Sequence, residues 1–568
     1  MQIILGGIAG AALFSLFLNR TFHHSTIQFF SLFVSMLYAV YSVYPLKRKL
    51  IVFGFITVIP IISFAFLFYP ADFFTQKLNY PNQNLIAFRE TSQGNFAVTD
   101  SGGELKLYEN KNLISINPDI RYTEECIHFP MLQNKEAKKI LFFSGSFSGY
   151  LEEILKYKPE RIVLLPFSSF FTGAEISTSE SFKNFSSIEK TKGLYSFFSS
   201  NSRIDIVTDS PDHFSQNNKK QFDVIIQNLP DPQNTLLNRF FTIEFFKTIK
   251  HNLNEKGVYS LSLNSGNTQN NQQFLASVWK ALKQNFSNTI IIPGERIFLL
   301  ASEVPLSYQI AKHSDERGLE NIYVNHFYIN DSAVTNKSSF FEKSIDADVL
   351  PNSVLVPFSK NSIIDFHFAQ ENQNYLFILL VIFMIALPGL FIRTKTTTLF
   401  ATGFSTASYI IVILSIFQSL FAFLYYNAGI FMMLFFTGIA CGSFIENKYR
   451  KKTSFDKHLF LGLTISLALL LSFVPEILVS GKTDFLTGSI ALGILTLSCG
   501  LILGAFLIAS KSSDQKPSAI SVLIGLSCGM LITSMFLIPL FGFANAALLS
   551  AIPSLSALTL ILIKKNVC

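Results

Sequence analysis

Cysteine is scarce in this chain and badly placed for a staple or a metal. Only five occur: Cys126, Cys441, Cys499, Cys528 and Cys568. The last four fall within or after apolar runs, so the polar middle of the chain holds Cys126 alone and no internal disulfide. No Cys/His cluster has metal-ligand spacing, so no metal site is expected. Basic residues are missing from the start: Met1-Gln2-Ile3-Ile4 leads straight into an apolar run. That run reads as an anchoring helix rather than a cleaved signal peptide, which would open with a basic stretch. Ionisable residues are also few between positions 375 and 563, where Glu476, behind Pro475, lies near the end of one apolar run. A coupled transporter normally buries an ionisable or broken-helix site near mid-membrane, and none stands out here.

Hydrophobic runs are what the chain has in abundance. Mean hydropathy is +0.38; 49% of residues are hydrophobic and 61 are phenylalanine, more than one soluble core needs. A helix crosses the hydrocarbon core with about 20 apolar residues. Candidate spans lie at 2–18, 26–45, 50–69, 375–392, 398–424, 430–445, 457–479, 485–510, 518–538 and 543–563. The chain therefore divides into three N-terminal transmembrane helices (1–70), a small β-rich cap with a substrate-domain-like segment (71–130), a Rossmann-like domain (131–372) and seven C-terminal transmembrane helices (373–568). Small residues recur in the last part, as Gly438, Ala440, Gly442 and Ser443 and again as Gly525, Ser527 and Gly529. Close helix packing is their ordinary role.

The net charge of +7 does not imply nucleic acid, because basic residues gather in short loops beside the spans. Lys47-Arg48-Lys49, Arg393 and Lys395, Lys448 to Lys452, Lys511 and Lys516, and Lys564-Lys565 all fall on one side if ten spans are counted. The positive-inside rule makes that side cytoplasmic. Residues 71–372 then sit outside, in a periplasm, and the protein is expected in a bacterial inner membrane. This sidedness requires an odd number of spans before the domain.

The polar middle has two patterns. Asn84–Glu90, Gly94–Thr99, Glu104–Tyr108 and Leu113–Ile116 alternate like short antiparallel strands, with Gly102-Gly103 as a turn. A doubly wound pattern follows: strand Lys139–Phe143, loop Ser144–Gly149, helix Tyr150–Tyr157, strands Arg161–Leu165, Arg203–Val207 and Phe222–Gln227, helix Thr242–Asn252, strand Val258–Leu263. Such alternation predicts a mostly parallel sheet with ligands at the carboxyl ends of its strands.

Four stretches carry a resemblance. They are Tyr122-Thr123-Glu124-Glu125-Cys126-Ile127-His128-Phe129-Pro130; Lys139 through the loop Ser144-Gly145-Ser146-Phe147-Ser148-Gly149; Phe222-Asp223-Val224-Ile225-Ile226-Gln227-Asn228-Leu229-Pro230-Asp231-Pro232; and Asn238-Arg239-Phe240-Phe241-Thr242-Ile243-Glu244-Phe245-Phe246, with Phe435-Phe436-Thr437-Gly438-Ile439-Ala440-Cys441-Gly442-Ser443 a further likeness in the flanking helices. Residues 84–303 resemble the spermidine/spermine synthases, the polyamine aminopropyltransferases, and more closely their membrane-embedded branch fused to transporter-like helices. The resemblance implies a sulfonium donor, decarboxylated S-adenosylmethionine, above a glycine-rich turn, and a polyamine acceptor oriented and deprotonated by an acid. Gly145 and Gly149 keep part of the donor turn, while Phe147 stands in the place of an acid. The ribose-binding acid and the acid after it correspond to Pro166 and Ser168, neither of which is a carboxylate. Asp209 matches an acidic position that contacts the base, or it caps a turn. Asn228 corresponds to the catalytic acid, and an amide is no carboxylate base. Asp231 keeps the second acid, binding an amine or capping the loop before Pro232. Tyr122, Glu124 and His128 match positions near the substrate pocket, or hydrogen-bond the cap to the core. Glu244 is expected to bond back to the loop of Asn238 and Arg239.

No catalytic residue is therefore assigned, and no cofactor. The leading expectation is an integral-membrane scaffold or complex subunit with an inactive synthase-like domain outside the membrane. Its partners would be the bilayer and other membrane or periplasmic subunits. A membrane-bound aminopropyltransferase and a small-solute transporter are the alternatives.

Overall fold

The computed structural model describes residues 2–14, 76–90, 95–109, 111–117, 119–144, 149–166, 201–207, 211–218, 220–232, 235–264, 269–345, 349–354, 394–421, 424–449, 457–480, 485–509 and 515–567. Helix α1 (Gln2–Leu13) opens the chain. Strands β1 (Asn84–Glu90), β2 (Asn95–Ser101), β3 (Glu104–Glu109) and β4 (Asn112–Asn117) form an antiparallel sheet in sequence order, as the alternating pattern predicts. Ser101 pairs with Glu104, so Gly102 and Gly103 alone make the β2–β3 turn. Both have positive φ, +67° and +90°, which glycine adopts without Cβ strain.

Helix α2 (Ile120–Met131) carries the first of the four resembling stretches and leads into a second sheet. Asp119 caps it, its carboxylate accepting from the Tyr122 N–H at 3.1 Å. Then come β5 (Lys139–Ser144), α3 (Gly149–Leu155), β6 (Arg161–Pro166), β7 (Ile204–Ile206), α4 (Pro211–Asn217), β8 (Phe222–Asn228), helical turns at Thr235–Asn238 and Arg239–Phe241, and α5 (Ile243–His251). The unit finishes with β9 (Leu253–Leu263), α6 (Gln269–Lys283), β10 (Asn288–Pro293), β11 (Ile297–Ser302), α7 (Ile310–Glu316) and α8 (Asp331–Ser344). The strand order is β10-β11-β9-β8-β5-β6-β7. From β9 to β7 every pairing is parallel, whereas β11 and β10 add antiparallel. The winding runs outward from β5 through β6 to β7 and then restarts on β5's other edge with β8. The crevice between β5 and β8 is thus the topological switch point, where such sheets bind ligands. Ser144 and Asn228, register partners, mark its floor.

Covering helices bury the central strands on both faces, which explains their nearly unbroken apolar sequences. Phe142, Phe143, Phe240, Phe241, Phe246, Phe298 and Trp279 are among the largest fully buried side chains. After α8, residues 349–354 run back over α6 and the turns after β8. Asn352 is the clamp: its Nδ2 donates to Asn238 Oδ1 and Phe241 O, both at 2.9 Å, and its carbonyl accepts from Ile243 N at 3.0 Å. Glu244 accepts from Val354 N at 3.1 Å, so it holds this returning segment rather than the Asn238–Arg239 loop expected from sequence.

The C-terminal part is helical: α9 (Thr394–Phe421), α10 (Leu424–Tyr449), α11 (Lys457–Ser480), α12 (Phe485–Ala509), α13 (Gln515–Ile532), a π-helical turn (Thr533–Leu537), α14 (Ile538–Leu549) and α15 (Ile552–Val567). Among the described residues five stretches are long and apolar enough to cross a membrane: Thr398–Phe421, Asn427–Lys448, Leu461–Val479, Phe485–Ile508 and Phe541–Thr559. Ser521–Leu537 is a shorter apolar helix. The predicted spans at 26–45, 50–69 and 375–392 lie outside the described residues, and with them the odd count on which the sidedness rests. Glycine sets the helix seams. A Cβ at Gly438, Gly442, Gly500 or Gly504 would strike the facing backbone between α10 and α12, and one at Gly525 or Gly529 would strike α9.

Candidate functional site

Four elements, α2, β8 with the loop after it, β9 and the β10–β11 turn, bring polar side chains together at the carboxyl side of β8 and β9. Tyr122 sits in the first turn of α2, aimed by the Asp119 cap and held against Phe298 at a ring separation of 6.0 Å. Its hydroxyl donates to Asn228 Oδ1 at 2.8 Å and meets Ser262 Oγ at 2.8 Å. A phenol has one proton, so Ser262 is the donor in the second bond. Burial pushes the Tyr122 pKa well up, against the opposing pull of Arg296, and keeps the hydroxyl protonated at neutral pH.

Asp231 lies on the loop after β8, where Asn264 N donates to it at 3.1 Å and Arg296 forms an ion pair with it. Arg296 comes from the β10–β11 turn. Its guanidinium is 5.7 Å from the centre of the Tyr122 ring, and it also reaches Ser262 O at 3.4 Å. Burial works against the Arg296 charge, but Asp231 and the Tyr122 and Tyr150 hydroxyls outweigh it and hold its pKa above the ordinary value. One donor is left over: Arg296 Nε is buried without a hydrogen-bond partner among the described residues.

The turn carrying Arg296 is itself fixed. Gly294 N donates to Arg296 O at 2.8 Å. Glu125 accepts from Glu295 N at 2.5 Å and from Arg121 Nε at 3.1 Å. A Cβ at position 294 would run into the Glu125 carboxylate, which would have to shift away from the turn to make room. Burial raises the Glu125 pKa, opposed by the Glu295 N–H and by Arg121.

Of the residues singled out from sequence, Tyr122, Asn228 and Asp231 meet in this cluster. Glu124 and His128, two and six residues further along α2, have partners elsewhere. Glu124 accepts from Ile322 N, Tyr323 N and Val324 N at 2.7, 2.7 and 2.9 Å. His128 contacts Tyr157 Oη through Nδ1 at 2.7 Å and Glu153 Oε2 through Nε2 at 2.8 Å. All these partners belong to the α/β unit, not to the β1–β4 cap. Gly149 begins α3, its Cβ direction 3.5 Å from the Thr123 methyl group. Pro166 ends β6 opposite Ser144. Gly145, Phe147, Ser168 and Asp209 lie outside the described residues. Among the described residues no group of three His, Cys, Asp or Glu could hold a metal.

Arg296 and Ser262 were not singled out from sequence. The signal for the first was present: Pro293-Gly294 between the apolar runs Thr289–Ile292 and Ile297–Ala301 is a hairpin pattern that turns the next residues back toward the sheet. Nothing in Ser260-Leu261-Ser262 distinguishes one serine from the other.

Comparison with known proteins places this geometry. The family profile described as "Spermine/spermidine synthase domain" matches residues 119–293, a stretch that holds Tyr122, Asn228, Asp231 and Ser262 but ends before Arg296. The polyamine aminopropyltransferase of Leptospira interrogans is 25% identical over 237 residues, 40% of this chain and 44% of that protein. Polyamine aminopropyltransferase 2 of Aquifex aeolicus is 22% identical over 241 residues, 41% of this chain and 46% of that protein. A crystal structure of spermidine synthase from Thermotoga maritima aligns with a TM-score of 0.37 and 18% identity, over 46% of this chain and 88% of that one. The chain thus spans less than half the length of these two curated relatives. A spermidine-synthase-like β/α domain, preceded by a small β-rich subdomain, is joined here to several long apolar membrane-spanning helices.

Proposed function

We propose that the chain is a membrane-bound aminopropyltransferase whose strand-end cluster seats the amine acceptor. Asp231 is the observation that carries this reading. It is a carboxylate beside the switch point, oriented by Asn264 N, within a cluster that also holds Tyr122 and Asn228. In the step this geometry supports, the acceptor nitrogen attacks the propyl carbon of decarboxylated S-adenosylmethionine. The C–S bond breaks onto sulfur to leave a neutral thioether, the N–C bond forms, and the ammonium proton passes to Asp231. Asn228 orients the amine but takes no proton.

One observation favours a second reading, a scaffold subunit with an inactive domain. Asn228 stands where the resemblance expects an acid, and Asp231 already has a cation in Arg296. Placement of the domain outside the membrane, away from a cytoplasmic donor, would support the same reading. Turnover separates the two. The full chain in lipid nanodiscs is supplied with decarboxylated S-adenosylmethionine and an amine acceptor, putrescine or L-ornithine, and release of the thioether nucleoside is followed by mass spectrometry. Acceptor-dependent release, lowered about a hundredfold or more in Asp231→Asn, supports transfer. A silent wild-type protein that copurifies with stable membrane partners supports the scaffold.

A further inference from the structure

A site built only for polyamines should show them net negative charge. Here Asp231, the carboxylate of the cluster, is already paired with Arg296. A bare diamine would have to take Asp231 from a guanidinium that repels it. The cluster instead offers a matched pair of opposite charges with spare donors beside it. Arg296 Nε–H is buried and unmet among the described residues, and a buried donor without an acceptor is costly. Asn228 Oδ1 accepts from Tyr122, and the same side chain also carries amide N–H donors. Both residues therefore present hydrogen-bond donors, and both touch Tyr122. Arginine's planar fork is suited to carboxylates.

We infer that the acceptor bears a carboxylate on the carbon next to its reacting nitrogen, so that the site takes an α-amino acid rather than a bare diamine. This rests on the cluster being the acceptor site. The ligand's ammonium lies on Asp231 and its carboxylate on Arg296, which exchanges an internal ion pair for two external ones. The ammonium first gives one proton to Asp231; the freed lone pair of the α-nitrogen then forms the new N–C bond as the donor's C–S bond breaks onto sulfur, leaving a neutral thioether and a protonated secondary amine.

L-ornithine and putrescine differ only by that carboxylate, so titration calorimetry of the full chain in nanodiscs with each tests the inference directly. Ornithine is expected to bind roughly tenfold tighter or better, and Arg296→Met to remove that preference. Arg296→Lys keeps the charge beside Asp231 but loses the fork; it is expected to lower the preference for ornithine over putrescine about fivefold. Putrescine binding as tightly as ornithine, a ratio unchanged in both variants, or no binding of either would overturn the inference. Adding the donor keeps its fate separate from that of the transferase reading. Selective ornithine binding without thioether release sinks transfer alone, and release with putrescine without a carboxylate preference sinks this inference alone.

Discussion

Glu124 and His128 show how a side chain's neighbours decide its meaning. The Glu124 carboxylate is buried and answers three successive backbone N–H groups at Ile322, Tyr323 and Val324. Glu124→Ala leaves those donors unmet and is expected to cost about 3 kcal/mol, lowering the domain's unfolding midpoint. Ligand affinity should stay as it was, which calorimetry on the same variant checks. His128 is held neutral: burial lowers its pKa below the ordinary 6.5, although Glu153 pulls the other way. In the neutral ring Nε2–H donates to Glu153, and Nδ1 accepts from the Tyr157 hydroxyl. Because the folded protein binds this proton less tightly than the unfolded chain, His128's contribution is complete above about pH 6.5 and is lost as pH falls toward the folded value. A melting series from about pH 7.5 down to pH 5.5 should show the wild-type midpoint falling more steeply than that of His128→Gln. Parallel curves would remove His128 from the acid response.

At the scale of elements, the β10–β11 hairpin and the helix seams both depend on glycine. Gly294→Ala pushes against the Glu125 carboxylate and shifts the turn that delivers Arg296. The expected result is a loss of about 1–3 kcal/mol together with weaker ligand binding. Gly500→Ala would drive a methyl group into Phe435 O on α10 and should lower the midpoint in mild detergent by several degrees, whereas Gly462, with nothing within 4 Å, should tolerate alanine. Equal effects at the two positions would count against the seam. Elements of this kind were unevenly legible in the sequence. The four cap strands and the parallel strands come within a residue or two of their predicted places, apart from β9, which begins five residues early. Hydrophobic period and turn residues are local signals that survive without knowledge of the fold. Tyr122, Asn228 and Asp231 were found through the resemblance. Arg296 was not, because its pairing with Asp231 spans 65 positions and exists only once the hairpin turn is built. Glu124 was readable as a polar residue on a buried helix, but its partners near residue 323 carry no sequence mark, since every residue other than proline has an N–H.

For the whole molecule, the open question of consequence is which side of the bilayer holds the α/β unit. Loop charge argues for the outside. Cys126 is buried, so the unit offers a clean background for a reporter thiol. Lys337 on α8 is exposed, and Lys337→Cys, with Cys441 and Cys568 changed to serine, should react with a membrane-impermeant maleimide in spheroplasts before lysis. Labelling only after lysis would place the unit in the cytoplasm, beside the donor, and strengthen the transferase reading. Asn352 is tied to Asn238, Phe241 and Ile243, on the stretch that follows Asp231, and Val354 N is tied to Glu244. A pull applied to the chain beyond Val354 would be met by these hydrogen bonds, whose partners lie a short way along the chain from Asp231.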